Sequence, residues 1–197
     1  MKNYFYLILL FGIAAFAQKE KLVYGYENPK SLQEFLDENK VNYDVRDLAV
    51  LDHPADWLDF YKKKKLSVPT AYFFNSEGVR IVEEFDAASC SQVINGLESI
   101  EKIKSYKKDP DETINTWLSQ VDFRFTKDEI FNEAYDIYVI VIYGKLIKTK
   151  TSNPTAFNWY NSLKKNNNLK IKTILLSIDI MDDWELPQDF KNEFGLK

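Results

Sequence analysis

The run Tyr138 to Tyr143, YVIVIY, is unbroken by any polar residue and is the strongest strand signal in the chain. Asn153-Pro154 follows it after a loop and caps a helix that carries Phe157, Trp159, Tyr160 and Leu163. Leu169 to Ile178, LKIKTILLSI, then supplies a second buried strand. Strand, helix and strand in this order call for an α/β unit, and a helix over Thr113 to Val121 precedes it while a short one over Asp189 to Phe194 closes the chain.

The N-terminal part repeats the alternation. Leu22 to Tyr26 is a short strand, and Asn28 caps a helix that starts on Pro29 and places Leu32, Phe35 and Leu36 on one face. Asn42 to Leu48 alternates as a second strand, and Pro54 to Lys64 is a helix with Trp57, Leu58 and Tyr61 on its apolar face. Val68 to Phe74 is a buried strand opened by Pro69, and Asn75-Ser76-Glu77-Gly78 turns it back into Val79 to Phe85, with Gly78 at the position of positive φ. A helix from Ala87 to about Lys104 sets Cys90, Val93, Ile94 and Leu97 at helical spacing. The order is βαβαββα. Ser105 to Glu112, polar and carrying Pro110, reads as a linker, so the expected division is 22-104, a linker at 105-112, and a second α/β unit at 113-197.

Ahead of these lies Lys2 and an apolar run from Tyr4 to Ala17 that ends in Ala-Phe-Ala. Its 14 residues fall short of the roughly 20 needed to span a bilayer, which predicts a signal peptide over 1-17 cleaved between Ala17 and Gln18. A periplasmic or secreted chain is expected, with no stable membrane span after cleavage. Removing Lys2 shifts the formal net charge from -4 to -5, which gives no reason to expect a nucleic-acid partner. Cys90 is the only cysteine, so such a chain has no internal disulfide and depends on its core.

Three features together carry a resemblance to the thioredoxin and glutaredoxin superfamily over residues 22 to about 103: the βαβαββα order, Tyr26-Glu27-Asn28-Pro29-Lys30 at the strand-to-helix turn, and Val68-Pro69-Thr70 opening the third strand. The pentapeptide matches the family's Trp-Cys-Gly-Pro-Cys, with Glu27 and Lys30 in place of the redox pair. The resemblance implies that Pro69 is cis and that Val68, Pro69 and Thr70 line a peptide-binding groove beside Tyr26, Glu27, Asn28, Pro29 and Lys30. The segment after about 135 is similar, more faintly, to the opening βαβ of a thioredoxin-like domain, incomplete or divergent, with Leu146 and Thr149 about where cysteines would be.

Disulfide exchange needs a thiolate and a resolving thiol, and Glu27 and Lys30 provide neither. The expected function is therefore non-catalytic binding of an extracytoplasmic protein or peptide at that groove, with no cofactor and no metal. Two alternatives stand beside it: an oxidoreductase-related enzyme using Cys90 as its only candidate catalytic residue, and an assembly subunit or homo-oligomer. His53, the only histidine, rules out multi-histidine metal sites and precedes Pro54 at a loop end. Asp179, Asp182, Asp183 and Glu185 lack calcium-loop spacing and are expected as a solvated acidic loop.

Overall fold

The computed structural model describes residues 25–81, 87–126, 133–147 and 149–196, and for 87–89 the backbone alone. The expected signal peptide and most of the first expected strand lie outside them. What is described of that strand is β1 (Tyr26–Glu27). Helix α1 (Pro29–Glu38) follows as its sequence requires: the Asn28 side chain accepts the Ser31 N–H and the Ser31 hydroxyl accepts the Asn28 N–H, both at 3.0 Å. The expected strand over Asn42 to Leu48 is not formed. Asp44 caps a 3-10 turn at Val45–Asp47 instead, and the strand, β2, is Leu48–Leu51. Short acidic side chains compete with sheet pairing by bonding nearby backbone N–H groups, here that of Arg46.

Helix α2 (Pro54–Lys62) leads into β3 (Thr70–Asn75), and Gly78 at φ 76° makes the turn into β4 (Val79–Ile81). The Val68-Pro69 bond is cis, as expected. The long helix expected from Ala87 to Lys104 is two, α3 (Ala87–Asn95) and α4 (Ile100–Ser105), broken at Gly96 with Ser99 capping the second. The expected linker holds strand β5 (Lys108–Thr113), paired with β4. Pro110 is tolerated there because β5 is an edge strand and need not donate on its outer side. Then come α5 (Ile114–Leu118), β6 (Val121–Asp122), β7 (Ile137–Tyr143), α6 (Ser152–Lys164), β8 (Ile171–Ser177), β9 (Ile180–Met181) and α7 (Gln188–Phe194).

Seven strands form one mixed sheet in the order β5-β4-β3-β7-β8-β2-β6, while β1 and β9 pair separately in parallel. β7, β8 and β2 run parallel, and β3 lies antiparallel to β7. Strands from 22-104 and from 113-197 thus alternate across a single sheet, with β7 and β8 lying between β3 and β2. The alternation of β7 explains both cores. Ile140 and Ile142 face a layer with Trp57, Phe60, Trp117 and Phe190, whereas Val139, Val141 and Tyr143 face one with Cys90, Ile94, Phe157 and Tyr160. Helices cover both faces, which gives a three-layer α/β fold. Helix α1 supplies Leu32 to one layer and Leu36 to the other, so it straddles the end of the sheet.

Candidate functional site at the carboxyl ends of the parallel strands

The register places several of the named residues at one edge of the sheet. Thr70 pairs with Ile142, so Pro69 stands level with Tyr143, the last residue of β7. Tyr143 in turn pairs with Ser177, the last residue of β8. Open α/β sheets bind ligands outside the carboxyl ends of their parallel strands, and this is such an edge. Val68, Pro69 and Thr70 are half-buried there, and the β3 ladder begins only at Thr70.

Beyond Tyr143 the chain makes a tight turn, with the Ile147 N–H donating to the Gly144 carbonyl at 3.0 Å. Gly144 is needed for close packing: a Cβ there would sit 2.8 Å from the Ile178 side chain. Asn153, expected to cap α6, lies inside its first turn. Its side chain accepts the Gly144 N–H at 3.1 Å and donates to the Gly144 carbonyl at 2.8 Å, binding the turn to the helix.

Asp179 closes the turn from the other side. Its carboxylate accepts the backbone N–H of Lys145 at 2.8 Å, that of Leu146 at 2.9 Å and the Ser177 hydroxyl at 2.7 Å. The residue is 1% exposed, which corrects the expectation of a solvated acidic loop for this member of the group. Asp182, Asp183 and Glu185 are exposed as expected. Burial pushes the Asp179 carboxyl above its ordinary range, opposed by the Lys145 N–H, the Ser177 hydroxyl and the Leu146 N–H and reinforced by the nearby Glu27. Burial likewise raises the Tyr143 hydroxyl, which is fully buried and makes no hydrogen bond of sound geometry.

Glu27 reaches this edge through β1, paired with Met181 of β9. Its Oε2 accepts the Lys145 ammonium at 2.8 Å and the Ser31 hydroxyl at 2.6 Å. Asn28 donates to Asp182 at 3.3 Å. Lys30 points away, paired with Glu34 at 3.6 Å and 84% exposed. The contacts of Glu27 and Asn28 therefore run to the Gly144–Ile147 turn and the segment after β9, and those of Val68 to Thr70 run to β7. The turn after β7 and the ends of β8 and β9 stand between the two sets in the register.

Cys90 lies in the core at 1% exposure, its sulfur 3.9 Å from the Ala71 carbonyl. A thiol buried among Val93, Ile94 and Phe73 lacks the access that a reactive cysteine needs. Of the two residues aligned with family cysteines, Leu146 lies in the turn after β7 and Thr149 just ahead of α6, where its hydroxyl bonds that of Ser152 and accepts the Ser152 N–H. The residues missed by sequence reasoning are Lys145, Ser177 and the buried Asp179. For Ser177 and Asp179 the signal was the apolar run Leu175 to Met181, in which two polar residues on alternating positions require internal partners.

Among the described residues no helix is long and apolar enough to cross a membrane, and no group of three or more His, Cys, Asp or Glu is placed to hold a metal ion. Compared with protein-family models, with curated proteins and with solved structures, the chain gives no significant match.

Proposed function

We propose that the chain is an exported protein of thioredoxin-like type that has no redox pair and binds an extended peptide segment of an extracytoplasmic partner at the carboxyl edge of β7. The observation that carries this reading is the Thr70–Ile142 register. It sets the half-buried Val68-Pro69 segment beside the end of a parallel βαβ unit, where backbone ahead of a paired strand meets the mouth of the sheet. The proposed groove runs between Val68-Pro69 and the Gly144–Ile147 turn, with Glu27 and Asn28 behind the turn, held to it through Lys145.

The chain order supports a rearranged version of the resemblance. A βαβ unit (β7, α6, β8) and a ββα unit (β3, β4, α3) lie side by side in one sheet, with the ββα unit first in sequence. The burial of Cys90 argues against the enzyme alternative.

The test is capture from an envelope fraction with the purified mature chain, then repeated with Val68→Arg. The expected result is a specific partner retained by the native chain, lost by the variant, and unaffected in Cys90→Ser. Equal capture by Val68→Arg, with its circular dichroism unchanged, refutes the groove.

A further inference from the structure

We propose that the cavity at the start of β7 is a binding site for a small aliphatic zwitterion, of the class of free α-amino acids. It has a volume of about 230 Å³ and lies where α4, the turn between β3 and β4, the first residue of β5 and the residue ahead of β7 meet. Asn75 in its wall pairs with Ile137, whereas Thr70 pairs with Ile142. The cavity is therefore at the opposite end of β3 from Val68-Pro69, and the site is separate from the groove proposed above. Sites for drug-sized ligands run to about 300–1,000 Å³, so this volume calls for a smaller molecule.

Its lining determines the chemistry. Ile100, Ile103 and Lys104 fall at i, i+3 and i+4, so they share one face of α4. Ile103 belongs to the core at 1% exposure and half-buried Ile100 packs against that core, which gives the cavity its apolar lining. The Asn75 side chain is buried, and its oxygen accepts the N–H groups of Glu77 and Val79 at 3.1 and 2.8 Å, which fixes the turn. Four charged side chains complete the wall. Glu77 and Lys108 pair with each other at 3.9 Å, while Lys104 and Asp136 make no ion pair among the described residues. Asp136 is nevertheless held in place: its Oδ2 accepts the Lys170 N–H at 2.8 Å and its own N–H donates to the Lys170 carbonyl at 2.9 Å. With two carboxylates and two ammonium groups in the lining, a ligand of zero net charge is favoured over an ion of either sign. A carboxylate on Lys104, an ammonium on Asp136 and an aliphatic chain on Ile100 and Ile103 satisfy the two unmatched charges and the apolar lining with one small molecule.

The experiment is a titration of the mature chain with L-leucine, followed by the NMR signals of the isoleucine methyl groups. Saturable shifts are expected at Ile100 and Ile103, with a dissociation constant on the order of 1 mM, while Ile140 and Ile174 in the central strands stay constant. Leucinamide, which lacks the carboxylate, and N-acetylleucine, which lacks the ammonium, are each expected to bind about tenfold more weakly. Lys104→Gln and Asp136→Asn are expected to weaken leucine by a similar factor, and Asp136→Asn keeps an oxygen for the Lys170 N–H. Shifts that do not saturate, or that fall on Ile140 and Ile174 as strongly as on Ile100 and Ile103, overturn the site. Equal binding of leucine, leucinamide and N-acetylleucine overturns it too, as does unchanged affinity in both variants. Val68→Arg is expected to bind leucine as the native chain does, so the outcome of peptide capture at the groove neither supports nor removes this site.

Discussion

Two aspartates are buried on either side of β8, and the fold treats them oppositely. Asp47, just before β2, accepts the ammonium groups of Lys164 and Lys172 and the Tyr160 hydroxyl, each at 2.8 Å. Asp179, two residues past β8, receives three neutral donors while Lys145 turns to Glu27. Asp47 ties the 3-10 turn, α6 and β8 together through two ammonium groups, and Asp179 holds a turn at the sheet's open edge through neutral donors alone. A buried carboxylate matched by cations is a lock; one matched only by dipoles is a group whose protonation matters.

Asp47→Ala breaks the first half of the comparison most directly. It takes the carboxylate away from the Lys172 ammonium, on a side chain 7% exposed, which also donates to the Arg46 carbonyl. Removing one partner of a buried pair costs about 3–5 kcal/mol, so the urea midpoint is expected to fall accordingly. A loss under about 1 kcal/mol would mean that Lys172 reaches water, and the two aspartates would then differ less than their contacts indicate.

The two ends also differ in the sign of their pH dependence. Near Asp47, the Arg46 guanidinium holds the Asp44 carboxyl down at about 2, against burial. A lowered carboxyl contributes stability that is complete above its unfolded value and lost as pH falls through about 2. Asp179 runs the other way. Burial raises its folded carboxyl above the ordinary range, so its contribution is lost as pH rises from the ordinary carboxylate range through its raised value. Denaturation curves of Asp179→Asn should therefore lack a downward slope that the native chain shows over that window, about 1.4 kcal/mol for each unit of difference in pKa. Asp44→Asn should leave that slope intact and flatten the acid limb. Identical slopes in Asp179→Asn and the native chain would contradict the assignment.

Local chemistry was legible in the sequence, and long-range pairing was not. Asn28-Pro29 announced α1, Gly78 announced the hairpin and YVIVIY announced β7, because each depends on residues within a few positions. Nothing local says that Thr70 pairs with Ile142 or Leu48 with Leu175, so the interleaving of the two halves in one sheet could not be read from the chain. Strand β5 was hidden by Pro110 and its charges, which suit an edge strand as well as a linker. At the site, Glu27 and Asn28 were named from the turn they occupy. Lys145 was not, since its partner is 118 residues away. Asp179 was grouped with its acidic neighbours by composition, although Ile178 and Ile180 on either side already placed it in an apolar environment. All four tryptophans are buried, and Tyr61, at 49% exposed, is the large aromatic most open to solvent among the described residues.

Helix α1 brings the comparison down to its smallest effects, because it opens at the Asp179 edge with one residue that is tied down and one that is not. Asn28 satisfies the Ser31 N–H and also reaches Asp182, so Asn28→Ala is expected to cost about 1 kcal/mol, within the ordinary range for a lost N-cap. Lys30, two residues on, is 84% exposed and pairs with Glu34 at 3.6 Å. Lys30→Ala should then change stability by no more than about 0.5 kcal/mol, since an exposed i,i+4 pair is screened and alanine favours the helix. If the two variants, compared by urea denaturation, proved equally costly, Lys30 would hold a partner at this edge. It would then belong with Glu27 in the site and not on the solvent face of α1.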